Sequence, residues 1–139
     1  MPRKGKRGGY AEKLMPTPIK IKIGTLELSA EMNESPTAKK LISLLPLEFS
    51  MSRWGDEYYG DCGIKTVISE DARDVMEVGE LAVWPTGNAL CIFFGPTPAS
   101  KGDEPRAVSP VSPVGRLLDN SDSLRRLGSS IQVRIETSK

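Results

Sequence analysis

The sequence predicts a mainly β protein, a closed eight-stranded antiparallel barrel with two short helices capping its open ends. Three observations point there. The chain carries about eight short strand-like runs parted by turn residues, and only two short helical patterns. Two of those runs, 80–84 and 89–94, flank Pro85-Thr86-Gly87-Asn88, where proline presets φ and Gly87 and Asn88 tolerate positive φ, as a hairpin turn requires. The length, 139 residues, suits one domain with a sizeable core, without repeats or long low-complexity tracts.

The hairpin is the centre of the predicted fold. Its arms are apolar along most of their length, so strands buried on both faces are expected. The second arm ends at Phe93-Phe94-Gly95-Pro96-Thr97-Pro98, where the prolines lack the N–H that a ladder needs.

In chain order, residues 1–15 are rich in Gly, Lys and Arg and show no periodicity, which predicts a flexible basic tail ahead of a domain spanning 16–139. Arg3, Lys4, Lys6, Arg7 and Lys13 face only Glu12, leaving 14 basic and 17 acidic residues for the remainder. Such a cluster suits either phosphate contact, through counterion release, or a solubilising role. Residues 19–23 alternate strictly, as do 26–32 beyond the tight connection Gly24-Thr25, so both read as strands with one face on the core. Ser35-Pro36 is a helix start, because serine can cap orphan N–H groups and proline is tolerated in the first turn. The helix predicted over 37–45 places Ala38, Leu41, Ile42 and Leu45 on one stripe, and Pro46 ends it.

Residues 47–59 interleave Phe49, Met51, Trp54, Tyr58 and Tyr59 with charged residues, and Gly55 suggests a bulge or a close backbone approach. A turn at 60–63, a strand at 64–68 and a loop or helical turn at 70–74 lead to the hairpin. Beyond Ser100, residues 101–106 read as an exposed loop, and Val108 to Leu118 as an edge or broken strand because of Pro110 and Pro113. Residues 122–127 form a short helix pattern with Asp122 at its start and Arg125 and Arg126 near its end, ahead of Gly128; 131–135 closes the sheet.

Composition narrows the chemistry. With no histidine in the chain, Ser-His-Asp and Cys-His triads, His-ligated zinc and histidine general-base catalysis are excluded. Cys62 and Cys91 lack metal-ligand spacing and read as a reduced pair, Cys91 as a small buried hydrophobe. No phosphate loop, dinucleotide fingerprint, calcium loop or CxxC is present, so no cofactor and no metal is expected. There is no long apolar run, and no apolar stretch behind the basic N-terminus, so neither a membrane span nor secretion is expected and a cytoplasmic location is.

Several short words fall in the order seen in cyclophilins. Ser35-Pro36-Thr37-Ala38 resembles the start of their first helix, Gly79-Glu80-Leu81-Ala82 and Phe93-Phe94 their hairpin strands, and Val114-Gly115-Arg116 with 123–127 and 131–135 their C-terminal third. Trp54-Gly55-Asp56-Glu57-Tyr58, Gly79 through Pro85 and Phe94-Gly95-Pro96-Thr97-Pro98 are more similar to a family of small uncharacterised prokaryotic cyclophilin-like proteins, over roughly residues 19–136. The resemblance implies one eight-stranded barrel with two capping helices. True cyclophilins isomerise prolyl bonds with an arginine, an apolar pocket, a glutamine, a tryptophan and a histidine. Here Arg53 falls near the arginine and Phe94 could floor the pocket, but Ile92 replaces the glutamine and there is no histidine.

The candidate site is an aromatic-lined groove built from Arg53, Trp54, Asp56 and Tyr58, from Trp84 and Phe94, and from Thr97 and Ser100 in the proline-stiffened loop. Arg53 would bind a carbonyl or carboxylate and Trp54 would stack on a ligand. Alternatively Trp54 is a core plug, with Arg53 paired to Asp56 or Glu57. Trp84 reads either as a partner-facing anchor or as a plug closing one end of the barrel. Two functions follow: a module binding an unknown small molecule or a proline-containing peptide, or a residual prolyl isomerase using Arg53 and an apolar pocket.

Overall fold

The computed structural model describes residues 16–138, so the basic tail expected over 1–15 lies outside the described residues. Strict alternation sets the first hairpin. β1 (Thr17–Ile23) and β2 (Leu26–Met32) pair with Ile23 opposite Leu26, and Gly24 takes φ +61° between them. Ile19, Ile21 and Ile23 then point to the same buried face as Leu28, Ala30 and Met32. In α1 (Pro36–Ser43) the Ser35 hydroxyl accepts from the Ala38 N–H at 3.1 Å, proline opens the first turn, and Ala38 and Leu41 are buried.

β3 (Leu47–Arg53), β4 (Glu57–Asp61), β6 (Glu80–Trp84), β7 (Ala89–Phe93), β8 (Arg106–Leu117) and β9 (Ser130–Thr137) complete a ring in the order β2-β1-β9-β3-β4-β7-β6-β8, with β5 (Arg73–Val75) outside it on β8. β8 returns to β2 with Leu117 opposite Ala30, so eight strands, all antiparallel to their neighbours, leave no free edge in the ring. Register fixes where the helices sit. α1 joins the Met32 end of β2 to the Leu47 end of β3, whereas a 3₁₀ helix, Ser121–Arg126, joins β8 to β9 at the opposite end. Ala38, Leu41 and Leu124 enter the interior cluster from those two ends.

The central hairpin forms with the expected arms, and both its faces are buried. Leu81, Val83, Leu90 and Ile92 face the ring interior. Ala82, Cys91 and Phe93 face outward into a second cluster with Met76, Ala107 and Val111, beneath β5 and the first half of β8. In the turn, Asn88 takes the left-handed conformation at φ +51°. Gly87 is needed for a different reason: a Cβ there would lie 2.7 Å from the Trp84 ring.

Four expectations are corrected. Residues 64–68 are not a strand: Ile64 is buried but Val67 is 80% exposed, and the ring offers that segment no free edge to pair with. The turn expected at 60–63 starts later, because β4 runs through Asp61 and Gly60 leaves room for the Ser50 carbonyl, which a Cβ there would strike. Residues 106–117 form one long strand with partners on both sides rather than an edge. Its prolines are tolerated because the register slips beside each of them, between Arg73 and Val75 on β5 and between Leu81 and Ala82 on β6. The second helix is 3₁₀ and is capped by Asn120, whose side chain accepts from the Asp122 N–H.

Candidate functional site

The site begins with the turn between β3 and β4. Gly55 takes φ +60° at the first of two loop residues, the conformation of a type II′ hairpin turn. A Cβ at Gly55 would stand 2.8 Å from both Thr97 Cα and Pro98 Cδ, so the loop 96–100 packs directly on it. Trp54 and Glu57 flank the turn and exchange backbone hydrogen bonds of 2.8 and 3.2 Å. Pairing then puts Glu57 opposite Phe93, Tyr59 opposite Cys91, and Cys91 opposite Ala82. Cross-strand partners share a face. Trp54, Glu57 and Tyr59 therefore all project outward, where the second cluster covers the sheet only partly.

The uncovered part is a cavity of about 190 Å³ between Trp54 and Trp84, walled by Tyr59, Cys91, Ala107, Val108 and Val111, with Glu57 as the one charged lining residue among the described residues. Val108, 62% exposed, stands at its rim. Trp84 is held in place by an Nε1–H bond to the Ser109 hydroxyl at 2.9 Å and by the close approach of Gly87 beside its ring. Glu57 is only 5% exposed, and no donor among the described residues meets its Oε1. Burial pushes its pKa up to about 7, against an opposing pull from the Cys91 thiol. Burial, then the neighbouring Glu57, holds the Cys91 thiol well above its ordinary range, so it is no thiolate nucleophile at neutral pH. The site can receive an apolar group and offer it one buried carboxyl. Among the described residues no cluster of three or more metal-ligating side chains exists.

On the inner face a second constellation forms. Arg53 donates from Nε to the Gly55 carbonyl, from Nη1 to the carbonyls of Arg125 and Leu127, and from Nη2 to Asp56 Oδ1, at 2.8–3.1 Å. Its guanidinium lies 5.1 Å from the Phe94 ring centre and 5.9 Å from that of Tyr58, and the two rings stack at 5.7 Å. Asp56 Oδ2 receives Arg125 Nη1 at 2.5 Å, and the Tyr58 hydroxyl donates to the Gly128 carbonyl. These bonds tie the β3–β4 turn to the 3₁₀ helix.

Comparison with known proteins decides the kinship. The sequence profile of the cyclophilin-like family matches residues 17–136. The chain belongs to the cyclophilin-like family. A solved relative, the solution structure of the hypothetical protein AF2241 from Archaeoglobus fulgidus, is 30% identical, superposes with a TM-score of 0.76, and is matched over 96% of this chain and 99% of that one. Among curated proteins, none matches the chain.

In this cyclophilin-like chain the eight residues expected in one groove are divided between places. Trp54 and Trp84 line the outer cavity together, and Trp84 does not plug an end of the ring. Arg53, Asp56, Tyr58 and Phe94 form the inner constellation, with Arg53 and Asp56 paired. Thr97 and Ser100 stiffen their own loop: the Thr97 N–H donates to the Ser100 hydroxyl at 2.9 Å, and the two hydroxyls donate to the carbonyls of Arg106 and Glu104. Glu57, Tyr59, Cys91, Val108 and Val111 were absent from the expected groove. The signal for the first two was available: a two-residue turn at Gly55-Asp56 forces Trp54, Glu57 and Tyr59 onto the face opposite Arg53 and Tyr58.

Proposed function

We propose that this protein is a binding module, a closed and rigid barrel that takes one ring-sized apolar group of a small ligand into the outer cavity between Trp54 and Trp84. The cavity itself carries this reading. At about 190 Å³ it exceeds the roughly 150 Å³ apolar cavity known to hold a benzene ring, and its aromatic walls are fixed in advance by the turn and by Ser109. The prolyl-isomerase reading needs a donor aimed at a captured carbonyl. Arg53 already spends most of its donor fork inside the protein, on the face away from the cavity, so binding is preferred.

The chain's two tryptophans both line the cavity, so intrinsic fluorescence reports on it directly. Titration with phenol or indole analogues transparent at the excitation wavelength is expected to give a saturable change. Val108→Phe, which adds bulk at the exposed rim, is expected to abolish it while leaving the unfolding midpoint in place. An unchanged titration in that variant, or no saturable signal in the parent, refutes the assignment. A protease-coupled assay on a proline tetrapeptide is expected to show no acceleration by either the parent or Arg53→Ala.

A further inference from the structure

We propose that the outer cavity is selective for an amine, taking a ligand whose ring-sized apolar body bears an ammonium group that pairs with Glu57. This rests on the cavity being a binding site and adds the class of ligand it takes. Glu57 is a buried acceptor with one oxygen unmet by any donor among the described residues, a state that costs free energy until a donor arrives. The surrounding walls suit a cation. Trp54, Trp84 and Tyr59 contribute aromatic faces or edges around the cavity, and a cation beside such faces is attracted to their negative quadrupole.

The arginines near the site are committed elsewhere. Arg53 and Arg125 both pair with Asp56 on the inner face, Arg106 pairs with Asp74 and Glu104, and Arg73 pairs with Glu80. None of them lines the cavity. Among the described residues a carboxylate ligand would therefore meet Glu57 with no compensating positive charge, and a neutral alcohol could donate a hydrogen bond but supply no charge. Of the three, the ammonium ligand alone satisfies the acceptor, the aromatic walls and the sign of the local charge together.

The test uses the full chain labelled with ¹⁵N at pH 8, where Glu57 is mostly ionised, with the two indole N–H signals as reporters. Benzylamine, benzyl alcohol and benzoate present the same ring with three different heads. Benzylamine is expected to bind at least about tenfold more tightly than benzyl alcohol, the scale of a charge-assisted hydrogen bond, and benzoate is expected to move neither signal. Glu57→Gln is expected to remove the amine's advantage, so that the variant binds benzylamine no more tightly than benzyl alcohol. Equal binding of amine and alcohol by the parent overturns amine selectivity but leaves the cavity as a binding site. Failure of all three ligands to move the indole signals overturns both. The parent's own preference decides the matter should Glu57→Gln not fold.

Discussion

Replacing Glu57 by glutamine isolates what a buried carboxyl costs this fold. In the folded chain burial lifts its pKa from 4.5 to about 7. Below pH 4.5 the folded and unfolded chains both hold the proton, and the group imposes no ionisation cost. As pH rises, the unfolded chain releases its proton first, so the folded state loses stability until the folded carboxyl also ionises near pH 7. At about 1.4 kcal/mol per pH unit, the displacement amounts to about 3 kcal/mol, present in full at pH 8 and nearly absent at pH 4. Glutamine has nearly the same shape and does not titrate. The stability of Glu57→Gln relative to the parent should therefore improve by about 3 kcal/mol between pH 4 and pH 8. Urea unfolding at both pH values measures this directly, since the other titrating groups cancel in the comparison. A variant-minus-parent difference that stays level across that range would show that the carboxyl is solvated, and the account of the cavity floor would fall with it.

Three further outcomes are expected. Gly55→Ala should lower stability by about 2–3 kcal/mol in urea unfolding, because the left-handed φ and the approach of Thr97 and Pro98 both oppose a Cβ; a neutral result would refute the close approach. Asp56→Ala should cost about 1–2 kcal/mol by freeing two guanidinium groups at once, and Arg125→Ala should cost less because its side chain is half exposed. Cys62 and Cys91 are both buried and unpaired, so a thiol reagent should titrate neither in the folded chain and both in guanidinium chloride.

The sequence alone determined the elements whose periodicity is local. Alternation in 19–23 and 26–32 fixed which face each strand buries. Ser35-Pro36 fixed the helix start, and the paired apolar arms around Pro85 fixed a hairpin buried on both sides. The cyclophilin-like words around Trp54, Gly79 and Phe94 were legible for the same reason, since they mark turns and strand exits whose chemistry is written in adjacent residues.

Only the tertiary structure decided the rest, because it depends on which strands become neighbours. Residues 64–68 have the composition of a strand but find no free edge, whereas 106–117 carries two prolines and still pairs on both sides through slips of register. The candidate groove divided because one II′ turn sets the parity of everything after it. That turn sends Arg53 and Tyr58 inward to stack with Phe94, and sends Trp54, Glu57 and Tyr59 outward to meet Trp84. The local sequence gives the face that Glu57 takes, through the turn at Gly55-Asp56, but not its burial. Ala107, Val108 and Val111 of β8, some 50 residues further along the chain, wall the same cavity, which is why a carboxyl holding its proton to about pH 7 emerged only from the fold.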